Sequence, residues 1–167
     1  MTLRKHTFLK LKTSRKKPRT GDIFIWRISS YPKHFGVGRV IDSHAICVTS
    51  TLPVVALFKY QLKNLENVPD VLPAKDMIGC PYFVPPSNWW LGCFQTIASR
   101  EFTEPERIRK LVFLWEIGGR HFYNEKFEEI KGITRKPRGC GDCGIHFGLT
   151  YEIETAINKA WGKSKTR

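Results

Sequence analysis

Long apolar segments, catalytic signatures and secretory signals are missing from this sequence. None of its apolar runs approaches the roughly 18 residues that a membrane-spanning helix requires, so we predict no contact with a membrane. The N-terminal stretch is basic but lacks the apolar core of a secretory signal, which predicts a cytoplasmic protein. A phosphate-binding glycine loop, a GxSxG sequence and an HExxH sequence are also absent. We therefore predict that the protein is not an enzyme and has no catalytic residues.

Cysteine occurs five times, without the even number and regular spacing of a disulfide framework, as is typical of a reducing compartment. Two residues separate Cys140 from Cys143, and His146 follows three positions later. This spacing could supply three zinc ligands, and the fourth would have to be His121, Cys80 or Cys93. The cysteine pair could also be a redox couple, but the strand–helix context of such sites is absent. We favour ordinary reduced cysteines, and so predict no metal ion and no cofactor.

Histidine offers a second set of chemical possibilities. His34 or His44 could form an acid–base pair with Asp22 or Asp42, or a nucleophilic dyad with Cys47. Isolated histidines are more often surface residues or satisfied polar groups. Nothing in the sequence brings these side chains together, so we favour the structural interpretation.

Acidic residues are outnumbered by basic ones, 15 against 28, which gives a formal charge of +13. Residues 1–20 contain eight of the basic residues and no acid, and residues 163–167 form a second, small basic tail. We predict a disordered leader over residues 1–20 and a single domain over residues 21–162. The alternative for the leader is a contact with nucleic acid or with an acidic protein surface.

Strand-forming residues dominate residues 21–41, which begin with a Gly-Asp turn. A polar break at residues 29–33 separates two apolar runs and predicts the first hairpin of the sheet. Gly36 and Gly38 remove side chains from one face of the second run, which permits a sharp bend or a close approach.

Further strands are predicted at residues 45–51, after a turn at residues 42–44, and at residues 54–60, after a break at Pro53. Residues 61–75 are predicted to be a loop or a short 3₁₀ segment. Three prolines in residues 78–86 favour an edge strand or an extended connection.

The second half of the segment at residues 87–98 predicts a central strand in which Gly92 allows close approach. Trp89 and Trp90 are expected to place one ring in the core and the other at the surface, since neighbours on a strand point in opposite directions. We predict that the exposed ring is Trp89 and that it contacts a partner.

Two helical segments are indicated in the second half of the chain. Thr103 and Glu106 fit a capping box, which could begin a helix through residues 108–115. We favour a short helical turn, because residues 111–117 are rich in strand formers and Gly118-Gly119 predicts a hairpin after it. An apolar stripe over residues 149–161 predicts a C-terminal helix, with Thr150 as its cap and Gly162 at its end. Between these segments, residues 131–143 form a basic, glycine-rich loop.

Glycine and aromatic residues recur as Gly21-Asp22-x-Phe24, Phe35-Gly36-x-Gly38-Arg39-Val40 and Trp90-x-Gly92-x-Phe94-x-x-Ile97. This pattern resembles the immunity protein 26 family of bacterial polymorphic-toxin and contact-dependent inhibition systems. The helix within residues 144–161 is similar in placement. The resemblance covers about residues 21–161, and its motifs are structural.

The resemblance implies a cytoplasmic α+β protein that binds and blocks the effector domain of a cognate toxin without catalysis. One feature departs from what is common in such systems. Many toxin effectors are basic nucleases with acidic inhibitors, whereas this chain has a charge of +13. The contact surface of the toxin would then be acidic, or largely apolar, since two basic surfaces associate slowly.

We predict an α+β fold in which a C-terminal helix packs on a strongly bent, mainly antiparallel sheet or partial barrel of about six strands. Aromatic and basic loop residues are the predicted partner contacts, because the core does not need them there. They are Tyr31, Lys33, His34, Trp89, Arg135, Lys136 and Arg138. Two alternatives stay open: a nucleic-acid-binding module that uses the leader and residues 131–138, and a small zinc protein that uses Cys140, Cys143 and His146.

Overall fold

The fold was analysed in a computed structural model that describes residues 7–162. Its main sheet contains five antiparallel strands in the order β4-β3-β2-β1-β5. They are β1 (Asp22–Trp26), β2 (Phe35–Cys47), β3 (Ser50–Leu62), β4 (Met77–Phe83) and β5 (Gln95–Ser99). Shifts of register interrupt every strand pair except β1–β2, and such bulges bend and twist a sheet.

A smaller sheet in the order β7-β6-β8 covers one part of the main sheet. Its strands are β6 (Phe113–Trp115), β7 (His121–Tyr123) and β8 (Gly141–Asp142). β6 and β7 form the predicted hairpin, and both Gly118 and Gly119 have positive φ in its turn. β8 instead runs parallel to β6.

The helices within the described residues are α1 (Ser87–Trp90) and α2 (Tyr151–Trp161). Short 3₁₀ turns lie at Leu65–Asn67, Ala74–Asp76 and Glu104–Glu106. α2 confirms the predicted C-terminal helix, since the Thr150 side chain accepts a hydrogen bond from the Ile153 N–H and Gly162 lies at the end. The predicted α+β class and bent antiparallel sheet are confirmed. Residues 7–162 contain eight strands rather than about six, and no closed barrel.

Two strand predictions need correction in the β2–β3 hairpin. Residues 42–44 were expected to form a turn but lie within β2, where the register shifts on both sides of Asp42. The turn comes instead at Val48 and Thr49, with Val48 in the left-handed region at φ 59°. Pro53 lies inside β3 instead of ending it. The strand tolerates this proline because the neighbouring strand β4 ends at Phe83, so few hydrogen bonds between strands are lost with the missing N–H.

The strand predicted in the second half of residues 87–98 is present as β5, but its predicted central position is wrong and it begins only at Gln95. This segment forms α1, a turn, and then β5, which lies at the edge of the sheet. Gly92 lies in the turn at φ +78°, and a Cβ there would be 2.7 Å from the carbonyl oxygen of Leu11. Gly92 therefore permits a close approach, as predicted, and the segment that approaches it is the leader.

The core gains its shape from two cross-strand pairs between β1 and β2. Trp26 pairs with Gly36 and Phe24 with Gly38. A Cβ on Gly36 would be 2.1 Å from the Trp26 ring, and a Cβ on Gly38 would be 2.4 Å from the Phe24 ring. The predicted close approach at these glycines is therefore made by aromatic rings. α2 closes this core with Trp161, whose ring stacks on Trp26 at 4.9 Å.

Residues 7–20 differ from the predicted disordered leader, because they pack against the domain. The Leu9 N–H donates to the Arg27 carbonyl at 2.7 Å, and Phe8 forms an isolated bridge with Ile28. The Phe8 ring also packs edge-on against Phe94 at 5.2 Å. The domain therefore begins before residue 21. The predictions for residues 1–6 and 163–167 lie outside the described residues.

A buried ion cluster joins β2 to the segment after β5. Arg39 and Glu106 form an ion pair in which Nη1 of Arg39 lies 2.7 Å from Oε2 of Glu106, and both side chains are fully buried. The angle between these atoms does not meet the criterion for a hydrogen bond. Arg100 donates to both carboxylate oxygens at 2.6 and 2.7 Å. The N–H groups of Leu72 and Thr103 donate to the same carboxylate at 2.7 and 2.9 Å. The Thr103 contact confirms the predicted capping box.

Candidate protein-binding face

The two adjacent tryptophans have opposite environments. Trp89 is 1% exposed, and its ring packs edge-on against Phe24 and Phe94 at 5.3 and 5.2 Å. Its Nε1 donates to Oγ1 of Thr96 at 3.0 Å. Trp90 is 48% exposed. The prediction of one inner and one outer ring is confirmed, but the choice of Trp89 as a partner contact is wrong, because α1 turns that ring into the core.

Asn88 connects α1 to the segment that leads into α2. Its side chain is buried, and its Oδ1 accepts a hydrogen bond from the Gly148 N–H at 3.2 Å. Its own backbone is held by Pro85, whose carbonyl accepts from the Asn88 N–H, and by Phe94, whose N–H donates to the Asn88 carbonyl. Gly148 has φ +63°, a conformation that glycine adopts readily. The Asn88 side chain therefore holds α1 next to the segment that precedes α2.

Four large apolar side chains near this hydrogen bond are more than 40% exposed, and a fifth, Ile145, is 37% exposed. Trp90 and Leu91 follow Asn88 within three residues, and Phe147 and Tyr151 flank Gly148 within three residues. Leu91 is 66%, Phe147 67% and Tyr151 80% exposed. We call these four residues the apolar face. Large exposed apolar patches are typical of protein-binding sites, and Trp and Tyr are frequent in their energetic centres.

Sequence reasoning assigned none of these four residues to the partner contacts: it chose Trp89 instead of Trp90, and it missed Leu91, Phe147 and Tyr151. The signal for Tyr151 was available, since it lies off the apolar stripe of α2 defined by Ile153 and Ile157. An aromatic side chain on the polar side of an amphipathic helix is not needed by the core. Leu91 and Phe147 lie in irregular segments, where residue spacing carries no information on exposure.

Three of the predicted partner contacts lie elsewhere, near the C-terminal end of α2. Tyr31 is half-buried and packs edge-on against Trp161 at 5.2 Å. Lys33 is exposed and His34 is half-buried. Tyr151 begins α2 and Trp161 ends it, about 16 Å apart for an eleven-residue helix. These three residues are therefore separate from the apolar face.

The basic residues of the loop at 131–138 border a different surface. Arg135, Lys136 and Arg138 are exposed, as predicted for partner contacts. Lys136 lines a cavity of about 780 Å³ between β4 and α2, together with Lys75 and Lys159. Arg138 lines a smaller cavity of about 340 Å³. The role of these residues in binding a partner remains a prediction.

The structure separates the two cysteines of the possible zinc site. Cys140 packs in a cluster with Val112 and Leu114, whereas Cys143 belongs to a second cluster with Cys47. Burial raises the pKa of Cys140, and raises that of Cys143 to about 12, which keeps both as neutral thiols at physiological pH. Between residues 7 and 162 no three His, Cys, Asp or Glu side chains are grouped so that they could hold a metal ion.

The remaining proposed ligand and the possible dyads have other partners. Nε2 of His146 lies 3.3 Å from Oδ1 of Asp142, and its Nδ1 lies 3.2 Å from Oγ1 of Thr150. His44 contacts its neighbour Ser43 through Nδ1 at 2.9 Å. Cys47 is buried, and its thiol donates to the Cys143 carbonyl at 2.8 Å.

The carboxylates proposed for these dyads accept backbone hydrogen bonds: Asp22 accepts from the Arg19 N–H at 2.9 Å, and Asp42 accepts from the His44 N–H at 2.8 Å. The described residues show no hydrogen bond between the His34 imidazole and either carboxylate. Among the fourth-ligand candidates, His121 pairs with Glu129 at 2.9 Å. The contacts of the described residues therefore assemble none of the proposed pairs.

Comparison of the chain with protein-family models, with curated proteins and with solved structures finds no match. Within residues 7–162, no helix combines the length and the apolar character needed to cross a bilayer.

Proposed function

We propose that the protein is a cytoplasmic immunity protein that binds the effector domain of a cognate bacterial toxin through the apolar face and blocks it without turnover. The observation that carries this proposal is the exposure of Trp90, Leu91, Phe147 and Tyr151 around a single tertiary hydrogen bond. A bound protein would remove this apolar area from water, which is the main favourable term in association. The five free cysteines are consistent with a reducing compartment.

The construction of the face supports a binding role over a catalytic one. Trp90 ends α1 and Leu91 follows it, and the other tryptophan of this helix is anchored in the core, so their backbone is held in place. Asn88 fixes the second half of the face through Gly148. A preorganised surface loses less conformational freedom on binding, and this favours affinity. The resemblance to the immunity protein 26 family supports a toxin domain as the partner.

Co-expression with the product of the adjacent upstream gene tests this proposal. We expect a stoichiometric complex on size-exclusion chromatography and restored growth of cells that express the toxin domain. The double variant W90A/F147A should lose both effects, since hot-spot aromatics each contribute 2 kcal/mol or more, roughly a 30-fold change in affinity.

The matched control is I117A, which removes a similarly exposed apolar side chain in the β6–β7 turn, outside the four residues of the face. This variant should protect cells as well as the wild type does. Absence of a complex and of growth rescue with the wild-type chain would contradict the proposed function. Equal loss in the control and in the double variant would contradict the assignment to this face.

A further inference from the structure

Residues 12–19 of the leader form one wall of a basic groove. The groove has a volume of about 740 Å³ and lies between residues 12–19 and the start of β5. We call it the leader groove. The residues that give it its chemical character are Lys12, Lys16, Lys17, Arg19, Gln95 and Thr96.

Backbone contacts hold this wall in place. The Leu11 N–H donates to the Gly92 carbonyl at 2.8 Å, and the Ser14 N–H donates to the Trp89 carbonyl at 3.1 Å. The Lys12 N–H donates to Oε1 of Gln95 at 3.3 Å, which ties the leader directly to β5. The groove is therefore a feature of the folded domain and not of a free tail.

The charge of the leader groove is largely uncompensated. Within the part of the chain that the structure describes, Lys12, Lys16 and Lys17 form no ion pair. Arg19 lies 3.9 Å from Asp22, the one acid in the lining, and its side chain is 77% exposed. Four like charges held on one wall repel each other, and an anionic ligand would relieve this repulsion.

The lining favours phosphate groups over an acidic protein surface. Protein interfaces have an apolar or aromatic centre, but no aliphatic or aromatic residue lines the leader groove. Phosphate oxygens are instead bound by Lys and Arg together with Ser, Thr and Gln side chains, which is the set of donors present here. The absence of an aromatic residue from this lining also predicts no stacking with bases, and so no sequence preference.

We propose that the leader groove binds the phosphate backbone of a nucleic acid without sequence specificity. Residues 12–19 span at most about 24 Å in extended conformation, so their four cations can face consecutive phosphates of one strand. This inference does not depend on the proposed immunity function, since the leader groove and the apolar face share no residue.

Fluorescence anisotropy of the full chain with a labelled 20-nucleotide single strand and with a 20-base-pair duplex tests the inference. For three or four phosphate contacts on the single strand, the logarithm of the binding constant should fall with the logarithm of salt concentration at a slope of about −2 to −3. The variant K12Q/K16Q/K17Q should bind at least about tenfold more weakly at low salt, with a slope closer to zero.

The control variant R109Q/K110Q/K126Q removes the same charge from exposed positions before β6 and after β7, which have been assigned no binding role. Its affinity should stay within about threefold of the wild type. Circular dichroism should show both variants folded, since all six side chains are exposed. Equal weakening of binding in the two variants would overturn the inference, because net charge alone would then explain binding. Failure of the wild type to bind either nucleic acid at low salt, or equal competition by a poly-glutamate peptide, would also overturn it.

Discussion

Glu106 shows how one buried charge can organise several segments. Its carboxylate contacts Arg39 on β2 and Arg100 after β5, and accepts from the Leu72 N–H of the loop before β4. Burial by itself would raise the pKa of Glu106, but the hydrogen bonds from Arg100 and from the N–H groups of Leu72 and Thr103 outweigh burial and hold that pKa far below its usual range. The carboxylate therefore stays charged and keeps Arg39 neutralised.

The substitution E106Q should strongly destabilise the fold. It leaves the Arg39 guanidinium buried without a counter-charge, and breaking a buried pair in this way costs about 3–5 kcal/mol. Urea unfolding followed by fluorescence should show this loss as a lower midpoint. The control E104Q changes an exposed carboxylate in the same 3₁₀ turn, paired with Arg107 at 3.4 Å, and should alter the free energy of unfolding by less than about 1 kcal/mol. Similar effects of the two substitutions would contradict the role given to Glu106.

Glu106 also predicts a dependence of stability on pH. A carboxyl whose pKa is lower in the folded than in the unfolded state stabilises the fold above its unfolded pKa, about 4.3, and loses that contribution as pH falls toward the folded pKa. Asp76 and Asp142 also have lowered pKa values, because of hydrogen bonds from Lys59 and His146 respectively, so the wild type alone is not diagnostic.

The difference in unfolding free energy between wild type and E106Q isolates this contribution. We expect the difference to be constant between about pH 6 and 8 and to shrink below about pH 4, because Glu106 then becomes protonated in the unfolded wild type while it stays charged in the folded protein. Urea titrations at several pH values measure it. A difference that grows on acidification would contradict the assigned direction of the pKa shift.

Among the elements, the β1–β2 pair depends on glycines that accommodate aromatic rings. We expect G36A to destabilise the protein by about 1–3 kcal/mol, because the added methyl would occupy the space of the buried Trp26 ring. Thermal unfolding measures this effect. The control G162A adds the same methyl at the end of α2, where no atom of another element in residues 7–162 lies within 4 Å, and should be neutral or slightly stabilising. An unchanged melting temperature in G36A would contradict the close packing of this pair.

The leader behaves as an element of the fold, and Phe8 is its anchor. We expect F8A to destabilise the protein by about 1–3 kcal/mol, since the half-buried ring packs against Trp26 and Phe94. F147A, which truncates an exposed phenylalanine, should change the free energy of unfolding by less than about 0.5 kcal/mol. Chemical unfolding of the two variants compares them directly. If F8A were as stable as the wild type, the packing of the leader would be contradicted and the prediction of a disordered leader would stand.

Elements with strong local signals were predictable from the sequence. The cap at Thr150, the stripe of α2 and the Gly118-Gly119 hairpin each arise from interactions between near neighbours. The β2 bulge was not predictable, because Asp42 and the two polar residues after it have the composition of a turn. Neither was the leader, whose apolar Phe8 and two leucines lie among basic residues and find partners only in the folded protein.

The candidate site was less predictable than the fold. The sequence indicated that one of two tryptophans is exposed, but the choice depends on the direction of α1, which follows from packing against Phe24 and Phe94. Leu91 and Phe147 join the face through the long-range contact of Asn88 with Gly148. Such contacts depend on the tertiary structure and leave no periodic pattern in the sequence.

At the scale of the whole molecule, the apolar face and the leader groove present different chemistry on neighbouring surfaces. Both border residues 89–92, since the leader contacts the carbonyl groups of Trp89 and Gly92. The leader contacts in that segment are to backbone atoms, so a change of the Trp90 side chain leaves them intact. A basic protein of charge +13 is also attracted to nucleic acid in general, and only localised substitutions can separate this attraction from a site.

We therefore expect the two surfaces to act independently. W90A/F147A should lose affinity for the toxin domain while its oligonucleotide affinity stays within about threefold of the wild type, and K12Q/K16Q/K17Q should show the reverse, because the substituted side chains belong to different surfaces and sites without shared contacts contribute additively. Isothermal titration calorimetry with the toxin domain and anisotropy with the oligonucleotide, each on both variants, measure all four values. If one variant lost both activities while remaining folded, the two surfaces would have to be parts of a single binding site centred on residues 89–92.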